Sequence, residues 1–303
     1  MNGFLNINKP AGRTSSDAVV YVRKRLPRGT AVGHGGTLDP EAMGVLPVCV
    51  GQATRLFDYI IDKQKTYVAR LKLGVETDTQ DATGQVVKTL PVSVREDEVR
   101  AVLPRFVGDI EQVPPMYSAL KKDGQRLYRL ARKGETVEVA ARRVRVDGIS
   151  YLGCEGGDVH LLRIDCGKGV YIRTLCHDIG RALGCGGHML TLERTAAGIF
   201  KAEDALTLQD VDRLAASGKL EEALYPLDAP LGHLPAVRVG EKYRHAVVNG
   251  NPLKAGWLDQ PAPDAPAVRV YLGGAFAGIG QPQADGSVKF RAMLYQQKTG
   301  QHP

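Results

Sequence analysis

The sequence predicts an α+β protein with a large domain and a smaller β-rich one. Its 303 residues correspond to about two domains of average size. Segments that alternate apolar and polar residues occur between segments with helical apolar stripes, and short Val-, Tyr- and Phe-rich runs follow residue 237. Hydrophobic residues make up 43% and charged residues 24%, so the chain can bury a core without metal or disulfide cross-links.

The apolar patterns place the elements of the first half in order. Alternation predicts strands over residues 4–9, 45–50 and 65–73. Stripes at helical spacing predict helices over residues 15–26 and 95–106. The run Ser15-Ser16-Asp17 would cap the first helix, and a glycine-rich turn over 33–40 follows that helix.

The second half is predicted to contain the end of the large domain, a linker and the small domain. Strands are expected over residues 159–166 and 170–172, and helices over 174–183 and 207–216. Three prolines and a glycine between residues 226 and 235 indicate a linker. We therefore expect a large domain over 1–230 and a small β-rich domain over 237–303.

One segment carries most of the excess positive charge. Lys and Arg number 40 and Asp and Glu 33, a net charge of +7, while the stretch 121–145 has nine basic and three acidic residues, a net +6. A helix over 125–133 would place Arg126, Arg129 and Lys133 on one face. Composition leaves two interpretations open, a solvated helical face and an arm that binds phosphates, in which Lys121 would take part.

The sequence argues against several classes of protein. No apolar run approaches the ~18 residues that cross a bilayer, and the N-terminus lacks the pattern of a signal peptide. The five cysteines are scattered and form no Cys-x-x-Cys pair, which is typical of a reducing compartment. A zinc site built from Cys176, His177, Cys185 and His188 would match no standard spacing. We therefore expect a cytoplasmic protein without a metal.

The densest motif is the glycine-rich run over residues 33–47, with the sequence GHGGTLDPEAMGVLP. Asp39 precedes a proline, which disfavours a helical conformation and places it on a turn. A carboxylate held on a loop beside an apolar segment is a candidate nucleophile or base, although Asp-Pro turns without chemistry are common. The glycine spacing matches neither a Walker loop nor a dinucleotide-binding fingerprint.

This run closely resembles the catalytic motif of the TruB family of tRNA pseudouridine synthases. Five other segments resemble further motifs of that family and occur in the family's order: 5–16, 65–67, 115–121, 168–175 and 183–195. Six ordered matches over roughly residues 3 to 200 are far more specific than any single motif.

The resemblance implies a fold, a reaction and a partner. The implied fold has a mixed, mainly antiparallel central sheet flanked by helices, a thumb-like insertion over about 114–146 and a C-terminal PUA-like RNA-binding domain. The implied reaction converts uridine to pseudouridine at tRNA position 55, in the T-loop, after the base flips out of its stack. The implied partner is tRNA, bound at its T-stem-loop and acceptor region. No cofactor, metal, membrane or obligate protein partner is implied.

The resemblance also implies roles for residues in the glycine-rich loop and for the residues that contact this loop. Asp39 would be the essential carboxylate, acting as a nucleophile or as a base. Arg173 would pair with it and lower the pKa of Asp39, which would keep the carboxylate ionised. Without the motif, Arg173 would be interpreted as a surface residue at a strand end. Lys9 and Pro10 would support the loop.

Four further residues would form the pocket for the base. Tyr67 would stack on the uracil close to its C5 proton, and Tyr171 and Leu192 would line the same pocket. His34 would fill the space that the flipped base leaves. Outside the resemblance, each of these side chains could equally be part of ordinary core or turn packing.

The chain departs from the family pattern at three positions. Gly35 and Met43 stand where Thr is commonest, and Glu193 stands where a basic residue is usual. We expect these changes to affect RNA affinity rather than catalysis. Two other functions remain open: a non-catalytic RNA-binding or tRNA-folding protein, and a guide-RNA-dependent enzyme. The first would not need the carboxylate, tyrosine and arginine together, and the thumb-like insertion is reduced or absent in the second.

Overall fold

A computed structural model describes residues 1–60, 64–118, 120–122, 124–127, 130, 135, 137 and 139–295 of the chain. The strands in the described part are β1 (Gly3–Lys9), β2 (Val32–His34), β3 (Met43–Val50), β4 (Lys65–Leu73), β5 (Val75–Thr77), β6 (Val86–Thr89), β7 (Gly108–Gln112), β8 (Lys121–Lys122), β9 (Gln125–Arg126), β10 (Arg142–Glu155), β11 (Val159–Cys166), β12 (Gly187–Ala197), β13 (Phe200–Lys201), β14 (Ala236–Val239), β15 (Val268–Leu272), β16 (Ala275–Pro282) and β17 (Val288–Met293). The α-helices there are α1 (Ser15–Arg23), α2 (Phe57–Ile60), α3 (Glu96–Val102), α4 (Ile172–Ala182), α5 (Leu208–Ala216) and α6 (Arg244–Val248).

A large mixed sheet organises the chain up to β13. Its strand order is β1-β3-β12-β4-β11-β10-β7, with β2 paired to β3 and β13 paired to β12. The pairs are antiparallel, apart from the pair of β3 and β12, which runs parallel over Met43 opposite Glu193 and Gly44 opposite Arg194. The sheet therefore joins an N-terminal part, which carries the glycine-rich loop, to a central part through a short parallel contact.

Helices cover this sheet in two apolar clusters. Leu5, Ile7 and Leu46 pack with Val22 of α1 and Val211 of α5. A second cluster packs β4, β11 and β12 against α3 and α4; it contains Leu38, Tyr67, Ala69, Val99, Leu162, Ile164, Ile172, Leu175, Ile179 and Leu192. Because Leu38 and Tyr67 belong to the same cluster, the loop before β3 packs onto the central strand β4.

The C-terminal part forms a second sheet of four strands in the order β14-β15-β16-β17. β14 and β15 are parallel, and the other neighbours are antiparallel. Ile279 and Ala292 of this sheet share an apolar cluster with Phe4, Val45 and Phe200 of the large sheet region. The two sheets are thus packed together through a common core.

The strands predicted over 65–73 and 159–166 are confirmed with their bounds, and those over 4–9 and 45–50 are confirmed within two residues. The helix predicted over 15–26 is confirmed but ends at Arg23, and the cap is Thr14. The Thr14 hydroxyl accepts from the Asp17 amide at 3.0 Å, while the Asp17 carboxylate accepts from the Thr14 amide at 2.9 Å. The helix predicted over 95–106 is α3 followed by a 3₁₀ turn over Leu103–Phe106.

One predicted element is wrong and another starts later than predicted. The strand over 170–172 does not form, because Ile172 begins helix α4 and Tyr171 is its extended N-cap. The helix predicted over 125–133 does not begin at Gln125, because β9 pairs with β8 in a hairpin, with Arg126 opposite Lys121, whereas the described residues Leu127 and Leu130 are helical. Short apolar or basic runs of this length fit either element type, and tertiary pairing decides between them.

Candidate active site

The side chains of Ser15 and Lys9 bind the backbone of the loop that carries Asp39, one before that residue and one after it. The Ser15 hydroxyl donates to the Leu38 carbonyl at 3.1 Å and accepts from the Leu38 amide at 2.9 Å. The fully buried Lys9 amine donates to the Pro40 carbonyl at 2.9 Å. Both supports come from the N-terminal strand and helix, so the loop is fixed directly before and directly after Asp39. The predicted support of the loop by Lys9 corresponds to this hydrogen bond to Pro40.

Lys9 also ties this loop to the turn after β1. Its amine donates to the Pro10 carbonyl at 2.9 Å and to the Arg13 carbonyl at 2.6 Å. Burial lowers the pKa of Lys9 to about 8, although Glu41 and Asp39 favour its charged form. Pro10 therefore contributes through its backbone carbonyl.

Arg194 clamps the same loop from β12. Its side chain is 1% exposed, its Nε donates to the Val45 carbonyl at 2.7 Å, and its Nη2 donates to the Gly36 carbonyl at 3.2 Å. A longer contact of 3.5 Å joins Nη1 to the Thr37 carbonyl. The backbone fits closely as well, since a Cβ on Gly44 would lie 2.3 Å from the Arg194 carbonyl oxygen. The guanidinium thus bridges the two ends of the loop.

A buried arginine lies between two carboxylates. Arg173, whose side chain is 6% exposed, places Nε 3.0 Å from Asp39 Oδ2 and Nη1 3.3 Å from Asp81 Oδ2. Its remaining nitrogen donates to the Tyr117 carbonyl at 2.9 Å. The Asp39 side chain is 40% exposed, whereas that of Asp81 is 14% exposed. The predicted pair of Arg173 and Asp39 is therefore present, and Asp39 is the carboxylate that solvent reaches.

Arg173 lowers the pKa of Asp39, as expected, but the net shift of that pKa is upward. Burial raises the pKa of Asp39 above its ordinary value, and the negative charge of Asp81 raises it further. Arg173 and, more weakly, Lys9 oppose that rise. The attraction of an arginine can be expected from a motif, whereas the loss of hydration, which is larger here, depends on the packing of the whole fold.

Tyr67 lies deep in the site, on the central strand β4. It stands between Ile164 of β11 and Arg194 of β12 and is 8% exposed. Burial raises the pKa of its hydroxyl, while the charge and polar contact of Arg194 lower it and Asp39 raises it. Arg194 and Asp39 are therefore close enough to Tyr67 to act on its hydroxyl.

Leu192 lines the region around Tyr67, and Tyr171 lies near Arg173 and Asp39. Leu192 belongs to the same apolar cluster and is buried on β12. The backbone of Tyr171 is fixed by Gln112, whose amide group accepts from the Tyr171 N–H at 2.7 Å and donates to its carbonyl at 3.0 Å. Burial raises the pKa of the Tyr171 hydroxyl, and the charges of Arg173 and Asp39 act on it. The assignment of these side chains to one pocket for the base stays a prediction.

His34 stands at the end of β2, on the entry side of the loop. Burial and the charge of Arg194 lower the pKa of His34, so the neutral ring is favoured. In the described part of the chain its Nδ1 atom is buried and has no hydrogen-bond partner. The next residue, Gly35, packs under Ile60, since a Cβ there would lie 2.6 Å from the Ile60 Cδ1 atom. This packing explains why a glycine suits position 35 in this chain.

The basic arm is only partly described. Lys121 and Arg126 are known as backbone positions in the β8–β9 hairpin, and their side chains lie outside the described part. Arg129 and Lys133 lie outside the described residues altogether. Their assignment to RNA stays a prediction.

Two residues of the site are not evident from the sequence. Asp81 lies in the polar stretch between β5 and β6, where a carboxylate is typical of an ordinary turn, and its Oδ1 accepts from the Thr79 and Thr83 hydroxyls. Arg194 belongs to one of the motif segments, which assigns it no role. Its position in an alternating strand is the available signal, because it shares the face of the buried Leu192.

The described residues hold no cluster that is typical of a metal site. No group of three or more His, Cys, Asp or Glu side chains there is arranged to hold a metal ion. Burial raises the pKa of Cys176, one of the residues considered for zinc, to about 12. Among the helices given above, none is long and apolar enough to cross a membrane.

Two family models match consecutive parts of the chain. Residues 24–172 match the N-terminal domain of the TruB family pseudouridylate synthases, and residues 173–232 match the C-terminal domain of tRNA pseudouridylate synthase B. The tRNA pseudouridine synthase B of Dechloromonas aromatica is 46% identical over 286 residues, 93% of this chain and 92% of that protein. The protein of the same name from Aromatoleum aromaticum is 41% identical over 301 residues, 99% and 95% of the two chains.

Solved structures with the same fold cover nearly all of the chain. A chain in the structure of an H/ACA RNP bound to a substrate RNA containing 2'-deoxyuridine has a TM-score of 0.74 at 27% identity. The match covers 98% of this chain and 86% of that one. A chain of a Cbf5-Nop10-Gar1 complex has a TM-score of 0.72 at 29% identity, with 97% and 84% covered.

Proposed function

The chain belongs to the TruB family of pseudouridylate synthases, whose α+β fold it shares, and we propose that it makes pseudouridine at position 55 in the T-loop of tRNA. In this reaction the bond from C1′ to N1 of the uracil breaks and a bond from C1′ to C5 forms. The hydrogen on C5 leaves as a proton and N1 gains a proton. The atoms of substrate and product are therefore the same, and the reaction needs no oxidant, reductant or cofactor.

One observation carries the proposal. Asp39, whose side chain is 40% exposed, forms a 3.0 Å ion pair with the buried Arg173, and the largely buried Tyr67 lies close by. Since the carboxylate is both fixed and reachable, it can contact a nucleotide that enters the cleft. We assign the essential carboxylate to Asp39 and its orientation to Arg173.

The other site residues take the roles that their positions support. Tyr67 stacks on the flipped uracil near C5, and Tyr171 and Leu192 complete the apolar wall, which replaces the stacking that the base loses. His34, neutral and at the mouth of the loop, occupies the space left in the RNA. Lys9 and Pro10 support the loop without contacting the base.

We further propose how tRNA is held. The catalytic domain would span 1–230, with a thumb over about 114–146 whose Lys121, Arg126, Arg129 and Lys133 contact the T-stem-loop backbone. The second sheet, within a PUA-like domain over 237–303, would contact the acceptor region. The enzyme would act in the cytoplasm without a cofactor, a metal or an obligate protein partner.

The relatives favour a stand-alone tRNA enzyme over a guide-dependent one. The similar proteins named tRNA pseudouridine synthase B are 41% and 46% identical, whereas the matched chains of the H/ACA and Cbf5-Nop10-Gar1 structures are 27% and 29% identical. The match to the Aromatoleum aromaticum protein extends over 99% of this chain, so it includes the C-terminal sheet.

The test uses the purified protein and an unmodified tRNA transcript. We expect pseudouridine at position 55 without any guide RNA, and no product with Asp39→Asn. The matched control is Asp58→Asn, which changes an exposed carboxylate outside the site and is expected to leave the rate unchanged. Product formation by Asp39→Asn would remove the assignment of Asp39. Tight tRNA binding without product by the wild type would instead support the non-catalytic alternative.

A further inference from the structure

We propose that Arg194 is a positioning residue, which holds the Asp39 loop and the Tyr67 hydroxyl in a fixed relation and thereby sets Tyr67 against C5 of the target base. The inference rests on the proposed reaction and adds a residue to it. Arg194 itself contacts the loop and the tyrosine, so its effect on the base would pass through them.

The first support is the distribution of its hydrogen bonds. One guanidinium donates to the Gly36 carbonyl, three residues before Asp39, and to the Val45 carbonyl, six residues after it, at 3.2 and 2.7 Å. The loop between these carbonyls holds the Asp39–Arg173 ion pair. A planar group with several fixed donors restrains both ends of the loop at once, which a single ammonium does not.

The second support is the register of the sheet. Arg194 on β12 lies directly opposite Tyr67 on β4, so the two side chains extend from the same face of neighbouring antiparallel strands. The guanidinium is near enough to the phenol to act on it through charge and a polar contact. The group that holds the loop therefore also restrains the hydroxyl.

The third support is a charge that packing alone does not explain. Arg173 faces two carboxylates, whereas in the described part of the chain Arg194 forms no ion pair with a carboxylate, although it is 1% exposed. Its contacts there are backbone carbonyls and the tyrosine. Burying a cation without a carboxylate partner costs hydration energy, so a fixed cation here points to a role in the site.

The role predicts which step suffers when the clamp is weakened. If Arg194 sets Tyr67 against C5, loss of the clamp slows removal of the C5 proton more than cleavage of the bond to N1. A primary isotope effect of deuterium at C5 reports on that step, because only that step breaks the bond to this hydrogen. A defect confined to folding would lower the amount of active enzyme and leave the isotope effect at its wild-type value.

The experiment measures single-turnover rates with enzyme in excess, on tRNA carrying hydrogen or deuterium at C5 of uridine 55. The variants are Arg194→Lys, which keeps the charge, and Arg194→Gln, which keeps a neutral donor. We expect the rate to fall at least 10-fold in both, the isotope effect to rise above that of the wild type, and the tRNA Kd to stay within about twofold. The matched control is Arg163→Lys, an exposed arginine whose register with Val68 puts it on the opposite face of the same sheet, and which should leave rate and isotope effect unchanged.

Each outcome decides the proposal. An unchanged rate, or a reduced rate with an isotope effect no larger than that of the wild type, would overturn it. If neither variant folds, as judged by circular dichroism, Arg194 is a structural residue and the proposal fails. A wild-type protein that makes no pseudouridine would contradict the proposed function itself, which separates that failure from the failure of the clamp.

Discussion

The Nε atom of Arg173 lies 3.0 Å from the Oδ2 atom of Asp39, and this contact opposes the rise in pKa that burial imposes on the carboxylate. The same guanidinium also contacts Asp81, whose charge acts on Asp39 in the other direction. Asp39 is therefore tuned by two neighbours of opposite sign. Because the proposed chemistry needs the ionised form, the pH dependence of the rate reports on each neighbour separately.

Replacing Arg173 should move the acid limb of the pH–rate profile to higher pH. Arg173→Gln removes the charge that lowers the pKa of Asp39, so a larger part of Asp39 is protonated at a given pH. We expect the rate to fall strongly at neutral pH and to recover in part as the pH rises. Single-turnover rates between about pH 5 and 9 measure this. A limb that moves to lower pH would contradict it.

Replacing Asp81 should move the same limb the other way. Asp81→Asn removes a negative charge that raises the pKa of Asp39, and Asn can still accept from the Thr79 and Thr83 hydroxyls. The plateau rate should fall, because Arg173 loses one of its anchors, while the acid limb moves to lower pH. The pH–rate profile is measured together with that of Arg173→Gln. If the acid limb moves in the same direction in both variants, Arg173 and Asp81 do not act on the pKa of Asp39 in opposite directions.

Lys9 should make the stability of the protein rise with pH in the alkaline range. The pKa of Lys9 is about 8 in the folded protein and 10.5 as its ordinary value, so between these pH values the unfolded chain binds more protons. The free energy of unfolding of the wild type, relative to Lys9→Met, should therefore increase from pH 8 upwards, by at most roughly 3 kcal/mol. Urea unfolding of both proteins at pH 7.5 and 9.5 measures it, and a difference that shrinks with pH would contradict it.

Gly44→Ala should disrupt the parallel pairing of β3 with β12. Gly44 has φ of +98°, and an added Cβ would lie 2.3 Å from a backbone oxygen of Arg194, which cannot move as a side chain can. We expect the free energy of unfolding to fall by about 3 kcal/mol or more.

The matched control for this change is Gly148→Ala in β10. A Cβ there meets no atom within 4 Å and Gly148 has no positive φ, so stability should stay unchanged or rise slightly. Both proteins are compared by urea unfolding. Equal stability of the two variants would show that the close approach at Gly44 is easily relieved.

The basic arm should set the salt dependence of tRNA binding. Neutralising Arg126, Arg129 and Lys133 together should flatten the slope of log affinity against log salt by about 0.7–0.9 for each phosphate that the arm no longer neutralises. The control neutralises three exposed cations elsewhere, Lys201, Arg213 and Lys219. An equal slope in the wild type and the arm variant would mean that these residues form only a solvated face.

The sequence predicts the regular strands well because their alternation of apolar and polar residues continues over many positions. In β4 nine residues alternate, and Tyr67, Ala69, Leu71 and Leu73 are the buried members, so both the element and its face are determined locally. At Tyr171 the apolar residues are too few to distinguish a strand from the start of a helix, and the buried packing of α4 decides.

The site is predicted only as far as its motif residues. The pair of Asp39 and Arg173 follows from the family resemblance, and its distance agrees with that. Asp81 and Arg194 act on residues that are 92 and 149 positions away in the chain, and no local pattern connects such positions. The lowering of the Asp39 pKa by Arg173 is predicted, but the net rise of that pKa is not, since burial is set by the whole fold.

The contact of Arg194 with Val45, which spans 149 positions, also orders events during synthesis. The amino-terminal strands leave the ribosome long before β12, and the loop with Asp39 then lacks the guanidinium that joins its ends. Contacts of such separation require closure of a long chain segment, so they form late in folding. A nascent chain that stops short of residue 194 already holds Asp39, Tyr67 and Arg173, but its reaction centre is assembled only when β12 enters the sheet.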